Sequence, residues 1–138
     1  MRPVLPAARL RLLLIEPDEA VAAALSRTLE RYGWAVRWAA TARAGLQIQT
    51  EWTPRVVLLS LDLPDMAADK LVARLVKRGG CGVLVVSGYA DEDLRRAVLE
   101  QGAHDVMNKP IWAGELAARI RAVQHRLDQA ASSLEPLQ

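Results

Sequence analysis

The residues that could do chemistry stand directly after apolar runs. Glu16-Pro17-Asp18 follows LRLLLI, Ser60 and Asp62 follow VVLL, Ser87 follows VLVV, and Lys109 follows DVMN. Carboxylates are hard oxygen ligands suited to a divalent cation. A serine hydroxyl is a poor nucleophile unless a neighbouring base activates it, and no histidine lies near Ser60 in sequence. Asp62 is two residues past Ser60, so strand alternation puts both on one side. Each residue also has an ordinary role. Pro17 suits the first turn of a helix, and Glu16 and Asp18 favour the positive end of a helix dipole. Ser60 and Ser87 are common small polar strand ends, and Lys109-Pro110 can be a turn. Glu-Pro-Asp after the first apolar run is not the glycine-rich loop that cradles a nucleotide phosphate.

The elements that must position these residues alternate. Leu10–Ile15, Trp34–Ala40, Arg55–Leu61, Val83–Val86 and Asp105–Met107 read as strands, several continuously apolar as expected of strands buried on both faces. Between them apolar residues recur at helical spacing: Val21, Ala24, Leu25 and Leu29; Ala44, Leu46 and Ile48; Leu71, Val72, Leu75 and Val76; Leu94, Ala97 and Val98; Leu116, Ile120 and Val123. Asp18, Thr41 and either Asp91 or Asp93 are candidate N-caps, and Gly33, Gly79-Gly80 and Gly102 mark helix ends. Strand–helix alternation predicts a parallel sheet covered by helices on both faces, with the site at the carboxyl ends of the strands.

The 138 residues fit one domain, and a formal charge of +2 does not argue for nucleic acid. The single Cys81 excludes an internal disulfide or a cysteine metal cluster and suits a reducing cytosol, so a cytoplasmic location is expected. No stretch approaches the roughly 18 apolar residues of a membrane span. Trp34, Trp38, Trp52 and Trp112 read as core or half-buried packing, because they are not interleaved with a basic cluster.

Over about Leu10 to Leu127 the stretches LLLIEPDEAV, VVLLSLDLPDM, VLVVSGYADEDL and GAHDVMNKPIWAGEL resemble the receiver domain of bacterial response regulators. That family has an acid pair after strand one, an Asp after strand three, a Ser or Thr after strand four and a Lys-Pro after strand five. The resemblance implies a flavodoxin-like, doubly wound α/β fold with five parallel strands ordered 2-1-3-4-5 and five helices. The expected organisation is an N-terminal extension over 1–9, a receiver-like domain over 10–127 and a polar tail or linker over 128–138. A cis Lys109–Pro110 bond is also implied.

In ordinary members the site transfers a phosphoryl group to the Asp, with a divalent cation neutralising charge and the hydroxyl and lysine holding the phosphoryl oxygens. Here Glu16 and Pro17 stand at the acid pair and Ser60 at the acceptor position, while Ser87 and Lys109 match. Pro17 offers no side-chain oxygen and Ser60 no carboxylate. The reading is therefore a degenerate phosphoacceptor pocket of Glu16, Pro17, Ser60, Asp62, Ser87 and Lys109. It has no cofactor, Mg²⁺ binds weakly or not at all, and Glu16 is at most a residual ligand. Lys109 is expected to pair with Glu16 or Asp62.

Such a chain would be a phosphorylation-independent signalling module of a two-component or phosphorelay pathway, not an enzyme. The ending GELAARIRAV is similar to the last helix of receivers joined to winged-helix DNA-binding domains. The expected partners are accordingly a signalling protein or an attached effector domain, in a transcription regulator, with no membrane and no direct nucleic-acid contact. A homodimer is expected through helix four, strand five and helix five, where Arg95, Arg96, Glu100, Asp105, Arg119 and Arg121 give mixed charge. Two alternatives stay open: phosphorylation at Asp62, and a small-molecule-binding flavodoxin-like module.

Overall fold

A computed structural model describes residues 9–88 and 91–133 of the chain. The expected N-terminal extension therefore lies almost wholly outside the described residues. The elements are β1 (Arg11–Ile15), α1 (Glu19–Arg31), β2 (Ala35–Ala39), α2 (Ala42–Trp52), β3 (Val56–Ser60), α3 (Ala68–Arg78), β4 (Gly82–Ser87), α4 (Glu92–Glu100), β5 (Asp105–Asn108) and α5 (Ala113–Ser133). The strands form one parallel sheet in the order β2-β1-β3-β4-β5, the doubly wound arrangement expected.

Strand alternation divides the core in two. Leu13, Ile15, Val57, Leu59, Val83 and Val85 point to one face and pack under α2, α3 and α4 through Leu46, Leu71, Leu75 and Val98. Leu12, Leu14, Val56, Leu58, Leu84 and Val86 point to the other, under α1 and α5 through Leu29, Leu116, Ile120 and Val123. β1, β3 and β4 are buried on both faces, which is why they read as unbroken apolar runs.

The helix starts are chemically specified. Asp18 Oδ1 accepts from the Ala20 and Val21 N–H groups at 2.9 and 3.1 Å. Thr41 Oγ1 accepts from Ala44 N–H at 3.1 Å. Asp91, not Asp93, caps α4, accepting from Leu94 N–H at 2.8 Å. Each satisfies backbone donors that a first helical turn leaves unpaired. Gly33 turns the chain out of α1 with φ +97°, a conformation a side chain would strain.

Two expectations about the periphery are corrected. α5 runs to Ser133, so the stretch expected as a polar tail or linker from 128 begins as helix. Asp128 ties it to the start of β3 through an ion pair with Arg55 at 2.9 Å, and Gln129-Ala130-Ala131 are compatible with helix. Of the tryptophans, Trp34 is buried and Trp52 half-buried, but Trp38 is 39% and Trp112 69% exposed. Nor is Trp52 remote from basic residues: the Arg11 and Arg37 guanidiniums lie 5.6 and 4.8 Å from its ring centre. Arg37 lies on β2 and Arg11 on β1, so sheet pairing joins a cluster that sequence spacing conceals.

Candidate functional site

Four of the six expected pocket residues stand on consecutive strand ends. Ile15 pairs with Leu59, so Glu16 follows β1 beside Ser60 at the end of β3. Ser60 pairs in turn with Val86, just before Ser87 at the end of β4. Lys109 N–H donates to the Ser87 carbonyl at 2.7 Å, which brings the end of β5 alongside. Glu16 and Ser87 are buried and Ser60 is half-buried. Glu16 is fixed through its backbone: its N–H donates to Ala39 O at 3.0 Å, and its carbonyl accepts from Trp38 Nε1 at 2.8 Å. Its carboxylate has no hydrogen bond or ion pair among the described residues.

Pro17, Asp62 and Lys109 are exposed. The expected pairing of Lys109 with Glu16 or Asp62 is not formed; the ion pairs among the described residues are Arg55–Asp128, Arg119–Asp105 and Arg119–Glu115. That expectation supposed a partly buried ammonium, and an exposed one keeps its hydration without an anion. The Lys109–Pro110 bond is cis, as the resemblance implied. Among the described residues no three His, Cys, Asp or Glu side chains are grouped so as to hold a metal ion.

One residue of this end was not singled out in the sequence. Asp65, in the loop after β3, accepts from the N–H groups of Ala42 and Arg43 at 2.9 and 3.0 Å. It thus supplies α2 with a second cap beside Thr41 and ties the loop carrying Asp62 to the far side of the sheet end. These backbone hydrogen bonds, from Arg43 and then Ala42, hold its carboxyl below the usual aspartate value of 3.8. Its place after Pro64 marks a turn, but nothing in the sequence around it points to α2.

The expected interface divides. Arg119 is engaged within the chain, with Nη1 on both Asp105 oxygens at 3.1 and 2.9 Å and Nη2 on Glu115 at 3.1 Å. Arg95, Arg96 and Glu100 line an open groove on α4. Arg121 does not belong to this face. Its guanidinium lies over the rings of Tyr32 and Trp34, 5.5 and 5.8 Å from their centres, on the α1 side of α5. Residues two apart on a helix point in nearly opposite directions, so Arg119 and Arg121 cannot share a face.

The strand order, the alternation and the polar residues at the carboxyl ends of the strands define a doubly wound α/β domain of receiver type. The chain belongs to the response regulator receiver domain family, whose family model matches residues 12–121. It is 32% identical to the KDP operon transcriptional regulatory protein KdpE of Escherichia coli K12 over 125 residues, covering 91% of this chain and 55% of that protein. It is 34% identical to the transcriptional regulatory protein AfsQ1 of Streptomyces coelicolor over 115 residues, covering 83% of this chain and 51% of that protein. The chain thus spans about half the length of these curated relatives. Among solved structures, a CheY-like response regulator receiver domain protein from Methanospirillum hungatei JF-1 superposes with a TM-score of 0.85 at 27% identity, covering 89% of this chain and 99% of that one.

Proposed function

We propose that this chain is a receiver domain whose state is set without aspartyl phosphate. It acts as a protein-interaction module in a two-component or phosphorelay pathway, as the regulatory part of a cytoplasmic transcription regulator. The observation that carries the reading is the side chain at the end of β3: between Glu16 and Ser87 stands the Ser60 hydroxyl, with Pro17 beside Glu16. An acyl phosphate needs a carboxylate to form on, and a cation there needs carboxylate ligands to replace its water. Glu16 is the one buried carboxylate at this end among the described residues, so Mg²⁺ is held weakly or not at all. The module is accordingly a binder and not an enzyme.

For a signalling partner the best-suited surface lies between α1 and the turn before α5. Val21, Ala24, Leu25, Pro110, Ile111 and Lys109 line an apolar groove of about 320 Å³, and Trp112, the next residue in the chain after Ile111, is exposed. An exposed apolar groove suits the apolar face of a partner helix.

The test is exposure of the chain to acetyl phosphate with Mg²⁺, followed by assay for an acid-labile, hydroxylamine-sensitive label. No label is expected. Label on the unmodified chain would overturn the reading and favour Asp62, which is exposed two residues beyond Ser60; Asp62→Asn would then abolish it.

A further inference from the structure

β2 is an edge of the sheet and pairs with β1 alone. Ala35 N–H donates to the Leu10 carbonyl and the Ala39 carbonyl accepts from Glu16 N–H, so the backbone groups of Ala35, Arg37 and Ala39 turn towards β1. Those of Val36 and Trp38 turn the other way, as alternate residues of a parallel strand do. They have no hydrogen-bond partner among the described residues. We propose that this edge takes on an extended acidic segment of a partner protein as a sixth strand. The surface is distinct from the groove beside α1, and the inference does not depend on how the strand-end site works.

The first argument is the free edge itself. Outward N–H and C=O groups on a terminal strand are a template for another backbone. An added strand would run about 4.8 Å from β2, with every second side chain on the face that carries Arg37.

The second argument is charge. Arg37 pairs with Leu13, and Arg11 lies two residues before Leu13, so both arginines point to the same face. Their guanidiniums stand 4.8 and 5.6 Å from the centre of the Trp52 ring, and Arg11 Nη1 donates to the Trp52 carbonyl at 2.7 Å. Two like charges thus converge on one indole. Both arginines are exposed, and no carboxylate pairs with either among the described residues. Glu51, next to Trp52 in the chain, accepts instead from Gln47 Nε2 at 3.0 Å. An incoming carboxylate on the Arg37 face would relieve the repulsion between the two cations.

Together these features select the occupant. A charged edge also keeps like chains apart, and two copies meeting edge to edge through β2 would bring their arginines together. A basic strand meets the same repulsion. Single-stranded nucleic acid would suit the charges, but it brings no peptide groups to Val36 and Trp38, and the arginines already stand over the ring on which a base would stack. An extended peptide with acidic residues at alternate positions satisfies both the edge and the cations.

The experiment is a titration of the ¹⁵N-labelled chain with a blocked hexapeptide alternating glutamate and valine. Matched probes are the same peptide with lysine for glutamate, its glutamate form N-methylated at alternate amides, and a short oligothymidylate. Saturable shifts at the Val36 and Trp38 amides and the Trp52 indole are expected with millimolar glutamate peptide, and the other probes should bind about tenfold more weakly or less. Arg37→Glu, checked for folding by its melting transition, should reverse the preference between the glutamate and lysine peptides. If that variant does not fold, Arg37→Gln is measured in its place and should abolish the preference. No binding, equal binding of the lysine or N-methylated peptide, tighter binding of the oligothymidylate, shifts that spare Val36 and Trp38, or an unchanged preference in a folded variant would each overturn the proposal.

Discussion

The two ends of the sheet are built differently. At the carboxyl end, where the polar residues of the family site gather, Pro17, Asp62 and Lys109 are exposed, and Asp62 and Lys109 form no ion pair among the described residues. At the amino end, polar groups are bonded into the framework: Gln49 to Leu75 and Cys81, Arg78 to Leu46 and Thr50, His104 to Val83, Arg119 to Asp105. The same five strands thus carry a loosely connected end and a tightly connected one. The difference separates two kinds of residue: most at the first end can change without breaking a framework bond, and each of those at the second gives one up when it changes.

The largest expected effect tests the first half of that contrast. Ser60→Asp alone should restore little labelling by acetyl phosphate, because the cation would still lack the ligand missing at Pro17. Ser60→Asp with Pro17→Asp should label at least about tenfold faster than the single variant, since Ser87 and Lys109 are already in place. Both variants should melt close to the parent chain. A single variant as active as the double would show that Pro17 is harmless and that the cation argument fails.

Asp65 is the exception at the carboxyl end, and it sharpens the comparison. It bonds two N–H groups of α2, so Asp65→Ala should cost about 1 kcal/mol, comparable to loss of an ordinary helix cap. Amide shifts should concentrate at Ala42 and Arg43 and extend to the loop holding Asp62. Chemical denaturation gives the cost. A loss no larger than that of Asp62→Ala would mean that the loop is held some other way.

These contrasts were unequally legible in the sequence. The element order was readable because strands buried on both faces leave unbroken apolar runs, and because Asp18 and Thr41 act on donors two or three residues away. The strand-end residues were readable for the same reason: each follows a run that could be recognised. Asp65 was not, since its partners lie 22 and 23 residues away and only the loop's path joins them. Gln49 looks like any polar residue on a helix until Leu75 and Cys81 close around it. Arg119 and Arg121 were grouped by closeness in sequence, where the helical turn separates them. Lys109 was expected to be paired because the family site suggested burial, and exposure was not visible in its neighbours.

At the amino end a pH effect follows from His104. Its Nδ1 accepts from Val83 N–H at 3.1 Å, so the folded chain holds the ring neutral. Burial, and then the charge of Arg126, keep its pKa below the ordinary 6.5. As pH falls below that value the unfolded chain takes up the proton first. The His104 contribution is therefore full above 6.5 and is lost progressively through the window beneath it. Melting temperature should drop on acidification through this range. His104→Asn, whose Oδ1 can still accept from Val83, should flatten the slope. Equal slopes in the two proteins would remove His104 from the account.

The smallest effect concerns Arg119, and it tests whether a bonded network at the amino end matters even where water reaches it. Its forked contact with Asp105 joins α5 to the first residue of β5, and Glu115 adds an i,i+4 partner on the same helix. The Arg119 and Asp105 side chains are 39% and 20% exposed, so water screens part of the attraction. Arg119→Ala should then cost at most about 1 kcal/mol. The cost should shrink as salt is raised from low to molar concentration, because the Debye length falls from about 30 Å at 0.01 M to about 3 Å at 1 M. Arg119→Lys keeps the charge but loses the fork, so it should recover part of the loss and remain salt-sensitive. Asp105→Asn distinguishes pairing from packing: it leaves the Arg119 stem in place and removes the charge, and should reproduce most of the Arg119→Ala cost. The same variants address the α4–β5–α5 face, where two chains were expected to meet. If Arg119 serves its own chain, the substitutions change melting equally at dilute and high protein concentration. A cost that appears only at high concentration, with a matching shift in sedimentation, would return Arg119 to an interface between copies.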